Sequence, residues 1–133
     1  MKALYVADTV ALARYLEDNL PRRANDVFVS AETEKATILV PEIAIAEFIY
    51  ITLRGRLKVP DPKATITELV NNVASSQFVR AIGMSSSAWQ SFIDSTVPEL
   101  HDRLIYSIAV ANEAKAIITN DPEIMASGYP TVW

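Results

Sequence analysis

Short apolar segments alternate with helical patterns along this chain, and that alternation limits its fold more than any other feature. Each segment is only a few residues long and apolar at successive positions, which is typical of a strand buried on both faces. The predicted strands cover residues 3–7, 37–40, 77–82 and 116–119, with an edge strand at 131–133. The predicted helices cover residues 10–20, 21–35, 42–54, 62–75, 85–97 and 99–114, and a short one starts at 120. This order predicts an α/β fold with a mostly parallel sheet of four to five strands and helices on both faces.

Composition limits the chemistry further. The chain has 133 residues, half of them apolar, which suits a single domain over residues 1–133. It has no cysteine and one histidine, His101, so thiolate sites and multi-histidine metal sites are excluded. No apolar run approaches the roughly 20 residues of a membrane span. The first residues do not resemble a signal peptide, and we expect a cytoplasmic protein with no membrane partner.

Four acids occupy places where the pattern predicts apolar residues. Asp8 and Asp121 follow predicted strands, Asp102 opens an apolar helix, and Glu47 is the only charge in residues 43–51. The carboxyl ends of parallel strands meet at one edge of a sheet, so these acids are expected to converge there. A lone carboxylate buried in the Glu47 helix would cost several kcal/mol. Four such groups without a counter-charge would repel one another.

A hard divalent cation resolves this repulsion, since Mg²⁺ and Mn²⁺ prefer oxygen ligands. A carboxylate-held ion suits phosphoryl chemistry because it polarises the phosphate. Structural alternatives exist for each acid. Asp8 and Asp121 suit helix N-caps, Asp102 suits the positive end of a helix dipole, and Glu47 suits pairing with a buried arginine. The occurrence of all four in compatible places of one α/β chain favours the metal site.

Four segments carry a resemblance to a known family. They are Asp8-Thr9 after the first strand and residues 40–48, 100–105 and 117–121. With these segments the chain resembles the PIN-domain nucleases, particularly the small VapC-type toxins of prokaryotic toxin–antitoxin pairs. The resemblance implies a three-layer α/β/α sandwich and cleavage of RNA that depends on Mg²⁺ or Mn²⁺ and leaves 5′-phosphate and 3′-hydroxyl ends. It also implies an antitoxin protein as partner and a homodimer.

The same resemblance assigns roles to residues. It places Asp8, Glu47, Asp102 and Asp121 in the family's acidic metal-binding quartet, and Thr119 at a Ser/Thr position whose hydroxyl orients a carboxylate. We hypothesise that Asp8 and Asp102 mainly hold the ion, while Glu47 and Asp121 help to place it. His101 lies outside the quartet and is interpreted as a solvated residue at a helix start.

Cations for binding RNA are few. Arg54, Arg56 and Lys58 follow the Glu47 helix and are candidates for phosphate contacts, although a solvated helix end explains them equally well. Arg103 is a further candidate, either for substrate binding or for neutralising the acids. The chain has 16 acids and 12 Lys and Arg residues, so its net charge of −4 equals the charge of the four proposed metal-binding acids. With a metal bound there, the rest of the chain is neutral, and the acidic net charge does not exclude RNA as a substrate.

The same residues disfavour two other classes of small α/β protein, the phospho-acceptor receiver domains and the nucleotide-binding enzymes. A phospho-acceptor receiver domain needs an acidic pair after the first strand and a lysine after the last, but Asp8 is single and no lysine follows Lys115. Three isolated glycines exclude the GxGxxG and P-loop motifs. Two alternatives on the same fold stay open. In the first, the protein would process RNA without any antitoxin; in the second, it would bind RNA or a partner without cutting.

Overall fold

The computed structural model describes residues 2–133, which form five strands and seven helices. The strands are β1 (Ala3–Ala7), β2 (Ala36–Pro41), β3 (Val79–Ile82), β4 (Ala116–Ile118) and β5 (Thr131–Val132). The helices are α1 (Thr9–Leu16), α2 (Arg22–Glu32), α3 (Glu42–Leu53), α4 (Pro62–Ser75), α5 (Ser86–Asp94), α6 (Leu100–Ala111) and α7 (Pro122–Ala126). Every predicted strand and helix is present at or close to its expected position.

The five strands form one sheet with the order β3-β2-β1-β4-β5, and every pairing is parallel. β1 is central and pairs with β2 on one side and β4 on the other, as in Tyr5 opposite Ile38 and Val6 opposite Ile117. The predicted sheet of four to five strands is thus confirmed. Because all strands run the same way, their carboxyl ends lie along one edge.

Successive strand residues point to opposite faces of the sheet, so both faces carry apolar side chains. One face packs against α1 to α4 and buries Phe28 and Phe48. The other packs against α5 to α7 and buries Ile108 and Ile124. This arrangement is the expected three-layer α/β/α sandwich.

Three helices end earlier than predicted because an acidic residue adopts a left-handed backbone conformation just beyond each one. These residues are Asp18 after α1, Glu34 after α2 and Glu113 after α6, with φ of 57°, 64° and 51°. A left-handed residue cannot continue a right-handed helix. Gly55, just beyond the end of α3, has φ of 71° and takes this conformation without steric cost.

The predicted helix over residues 85–97 is also shorter in the structure, where α5 ends at Asp94. Its last carbonyls are bound from outside the helix: the Arg103 guanidinium donates to the carbonyl of Phe92 at 2.8 Å and to that of Ile93 at 3.3 Å. Carbonyls at the end of a helix lack partners within it, so this arginine stabilises the early end. Among residues 2–133, no helix is long and apolar enough to cross a membrane.

We expect Phe48→Ala to destabilise the protein by about 3–5 kcal/mol, because Phe48 is fully buried between α3 and the sheet and its loss leaves a cavity. Urea denaturation followed by circular dichroism measures the change. Leu53→Ala on the same helix is the matched control. Leu53 is 61% exposed, so its variant should stay within about 0.5 kcal/mol of the wild type. Equal losses in both variants would contradict the described packing.

Candidate functional site

Asp8 directly follows β1 and is buried, with 5% of the residue exposed. One carboxylate oxygen accepts a hydrogen bond from the backbone N–H of Ala11 at 2.8 Å, which makes Asp8 the N-cap of α1. The other oxygen accepts a hydrogen bond from the Thr119 hydroxyl. The helix-cap interpretation of Asp8 is therefore correct. It does not conflict with a site, because Asp8 also faces the cavity described below.

Thr119 follows β4, is fully buried and connects two of the predicted acids. Its hydroxyl donates to Asp8 and accepts from the backbone N–H of Asp121 at 3.0 Å. Asp121 in turn caps α7 by accepting from the backbone N–H of Glu123 at 2.8 Å. One hydroxyl thus fixes the ends of β1 and β4 relative to each other.

Asp102 is the third residue of α6. Its backbone N–H donates to the carboxylate of Glu99 at 2.7 Å, so Glu99 is the N-cap of this helix. The sequence placed Glu99 inside the helix and gave it no role. One carboxylate oxygen of Asp102 lies within 4.8 Å of one of Asp121, the residue that caps α7.

Glu47 reaches the same place from α3. Its carboxylate accepts a hydrogen bond from the Thr9 hydroxyl at 3.0 Å and lies 3.4 Å from Nδ1 of His101. The expectation that Glu47 is buried was wrong, since its side chain is 32% exposed. His101 is the second residue of α6 and its side chain is 40% exposed, as expected for a solvated residue at a helix start. Its ring also contacts Glu47 and lies 3.3 Å from the carboxylate of Glu99.

A cavity of about 270 Å³ opens at the carboxyl edge of the sheet and collects these side chains. Five of its lining residues are acids, one is histidine, and none is lysine or arginine. The lining residues are Asp8, Thr9, Val10, Glu47, Glu99, His101, Asp102, Ile105 and Asp121. The structure therefore brings all four predicted acids to one cavity.

Glu123 is a further acid that the sequence did not single out. One carboxylate oxygen each from Asp102, Asp121 and Glu123 lie within 4.8 Å of one another. Glu123 lies in the first turn of α7, two residues after Asp121, and that position was the available signal. Glu99 gave a weaker signal, an acid three residues before Asp102.

The crowding of acids changes their titration. Burial raises the pKa of Asp8 to about 6, against the hydrogen bonds from Thr119 and Ala11 that lower it, and the charge of Asp121 adds to the rise. Burial also raises the pKa of Asp102 to about 7, together with the negative charges of Asp121, Glu99 and Glu123. Both carboxylates are therefore harder to ionise in the protein alone than in water.

These donors fit a hard divalent cation. The cavity offers carboxylate oxygens from several chain elements, and no lysine or arginine lines it. Mg²⁺ and Mn²⁺ take oxygen ligands of this kind, and a positive ion would relieve the repulsion that raises the two pKa values. The observed arrangement thus supports the predicted metal site by its chemistry, while the identity of the ion stays a prediction.

The four predicted substrate-binding cations lie outside this cavity. Arg54, Arg56 and Lys58 are exposed beyond the end of α3. Arg103 uses its guanidinium on the backbone carbonyls at the end of α5 and on the ring of Phe92, 5.0 Å away. Among residues 2–133 it forms no ion pair with an acid, so its contacts are structural and do not neutralise the site.

No protein-family model matches the sequence, and a search of curated proteins gives no significant match. The fold, by contrast, has clear counterparts among solved structures. VapBC2 from Rickettsia felis, bound to a DNA fragment from their promoter, superposes with a TM-score of 0.71 at 17% identity over 96% of both chains.

Two further structures match over nearly their full length. Mycobacterium tuberculosis VapC20, a sarcin-ricin loop cleaving toxin, has a TM-score of 0.64 at 15% identity, covering 94% of this chain and 95% of that one. FitAcB from Neisseria gonorrhoeae has a TM-score of 0.65 at 13% identity, covering 96% and 95%. The chain thus has the fold of VapC-type toxin structures, which confirms the fold implied by the resemblance.

We expect the free energy of unfolding of Asp102→Asn to rise relative to that of the wild type as pH increases, when both proteins are measured in the presence of a chelator. The pKa of Asp102 is raised from 3.8 to about 7 in the folded protein. As pH rises, Asp102 loses its proton near pH 4 in the unfolded chain but only near pH 7 in the folded protein. The wild type therefore loses folding stability between about pH 4 and pH 7. Asparagine has no proton to lose there. Urea denaturation of both proteins across this range measures the difference.

Adding Mg²⁺ or Mn²⁺ at pH 7.5 provides the second part of this experiment. The ion binds the ionised acids and should stabilise the wild type more than Asp102→Asn. Asp26→Asn on α2, where Asp26 is exposed and away from the cavity, is the control and should follow the wild type throughout. A difference between wild type and Asp102→Asn that does not change with pH would contradict the raised pKa.

Proposed function

We propose that this protein is a divalent-metal-dependent endoribonuclease and the toxin component of a type II toxin–antitoxin pair. The observation that carries the proposal is the convergence of Asp8, Glu47, Asp102 and Asp121 on one cavity that no lysine or arginine lines. The fold adds support, because it is shared with VapC20, a toxin that cleaves the sarcin-ricin loop. We also propose that the protein acts in the cytoplasm.

In this proposal each residue has a defined part. Asp8 and Asp102 are the main ligands of Mg²⁺ or Mn²⁺, with Asp121 and Glu47 completing the site and Glu123 within reach of it. When bound, such an ion polarises a phosphodiester and makes water a better nucleophile near neutral pH.

Two hydroxyls set the geometry of these acids. Thr119 holds Asp8 against Asp121, and Thr9 orients the carboxylate of Glu47. A ligand whose rotamer is locked in this way costs less entropy to order when the ion and substrate arrive.

The substrate strand needs positive charge outside the acidic cavity. We propose Arg54, Arg56 and Lys58 for phosphate contacts, since all three are exposed beyond the end of α3, the helix that carries Glu47. We leave Arg103 out, because its guanidinium is already bonded to backbone carbonyls.

The proposed partners are an antitoxin protein and a second copy of this chain. Both follow from the resemblance to VapC-type toxins. The shared fold with VapBC2, which was solved on a DNA fragment from their promoter, is consistent with a paired protein.

We expect the wild type to cleave RNA in Mg²⁺ or Mn²⁺, to stop in EDTA, and to leave 5′-phosphate and 3′-hydroxyl ends. Asp8→Asn and Asp102→Asn should each lower the rate by on the order of a hundredfold or more, because each removes a charge that holds the ion. A gel assay on a panel of labelled RNAs, with end-group analysis, measures both results.

Asp26→Asn serves again as the matched control and should cleave at the wild-type rate, since Asp26 lies on α2 away from the cavity. Circular dichroism confirms that all variants are folded. Full activity in both Asp8→Asn and Asp102→Asn would show that the assigned acids are not the site. Absence of cleavage by the wild type on every RNA would favour the non-cleaving alternative.

The toxin role is tested by expression in bacteria. We expect induction of the wild type to arrest growth and induction of Asp102→Asn at the same level to leave growth unchanged. Co-expression of a small DNA-binding protein encoded next to this gene should relieve the arrest. Growth arrest by both proteins, or by neither while the wild type cleaves RNA in vitro, would contradict the toxin role and favour RNA processing.

A further inference from the structure

A second cavity adjoins the acidic one along α3. It measures about 510 Å³ and is named here the α3 groove. Its lining residues are Ala46, Glu47, Tyr50, Ile51 and His101. Glu47 and His101 also line the acidic cavity, so the two cavities are adjacent. A strand with its phosphate at the acids therefore passes beside this groove.

The α3 groove presents an exposed aromatic ring, that of Tyr50. Tyr50 is 59% exposed, which is unusual for an aromatic residue on a helix packed against a core. The Arg54 guanidinium donates to the Tyr50 hydroxyl at 3.0 Å and lies 5.4 Å from the ring centroid. This contact leaves much of the ring open to a stacking partner, since Tyr50 stays 59% exposed.

The rest of the groove suits a flat, mostly apolar partner. Ala46 and Ile51 supply aliphatic surface, and the imidazole of His101 supplies a second ring. A cation lies at the Tyr50 end, since the exposed Arg54 contacts the ring. The groove thus combines a stacking surface with charge complementary to a phosphate backbone.

We propose that the α3 groove binds a nucleobase of the RNA strand, close to the nucleotide whose phosphate lies at the acids, and that Tyr50 stacks on that base. Single-stranded RNA is recognised largely by stacking of unpaired bases on aromatic side chains. An exposed aromatic ring beside an exposed arginine suits this mode of binding. The proposal rests on the proposed function, since it takes RNA as the ligand, and it adds a base-binding residue to that site.

The experiment measures binding of a labelled single-stranded RNA 12-mer of mixed sequence and of the same backbone with abasic nucleotides, by fluorescence anisotropy. The proteins carry Asp102→Asn so that no RNA is cut. Adding Tyr50→Ala should weaken binding of the normal RNA about tenfold and change binding of the abasic RNA by less than about twofold. Tyr50→Phe keeps the ring and should bind normal RNA nearly as the parent does.

Trp89→Ala is the matched control, because Trp89 is an exposed aromatic on α5 that lines neither cavity. It should leave both affinities unchanged. Light scattering on each protein reports its oligomeric state. Three results would overturn the proposal: unchanged affinity in Tyr50→Ala, equal losses on both RNAs, or a dimer that becomes a monomer without loss of RNA affinity. The last would show that a second copy covers the groove.

Failure of this proposal is distinct from failure of the proposed function. If the wild type cleaves RNA and Tyr50→Ala keeps its base preference, only the groove assignment falls. If the wild type cleaves no RNA yet Tyr50→Ala loses base preference, the groove binds RNA in a protein that does not cut it.

Discussion

The hydrogen bonds that join the ends of β1 and β4 are the interaction on which the site depends. Asp8 continues the pairing beyond the strands by donating its backbone N–H to the carbonyl of Ile118 at 3.2 Å. The next residue, Thr119, then bonds to the Asp8 carboxylate and to the backbone of Asp121. Without that hydroxyl a buried carboxylate oxygen would lack a partner, at a cost of about 1–3 kcal/mol. The starts of α1 and α7 are set by the same two acids.

Much of this fold is predictable because its signals are local. Runs that are apolar at successive positions identify the buried strands, and Asp61 and Ser85 cap α4 and α5 as their positions in sequence suggest. Parallel strands place their carboxyl ends together, so the convergence of Asp8 and Asp121 follows from topology alone. Asp8 and Asp121 each have both of the roles that the sequence offers as alternatives, since each caps a helix and also lines the cavity. A carboxylate has lone pairs enough to accept a backbone N–H and still face a cavity.

The remaining features depend on neighbours that are remote in sequence. α3 is apolar on almost every side, which suggested burial all round, but it exposes Tyr50 and Leu53 at the surface and leaves Glu47 partly open. The pairing of His101 with Glu47 joins α6 to α3, and no spacing in the sequence encodes it. The end of α5 depends on Arg103, which lies in the next helix. The sequence pattern does not reveal these contacts, because each joins residues of different elements that only the folded chain brings together.

The three acids in left-handed conformation all lie at the amino edge of the sheet, since α1 ends there and α2 and α6 lead into strands that begin there. The cavity lies at the opposite, carboxyl edge. The left-handed residues and the cavity therefore lie at opposite edges of the sheet. Loops at the amino edge contribute no lining residue to the cavity, so we expect a change in their length or sequence to alter stability before it alters the arrangement of the acids.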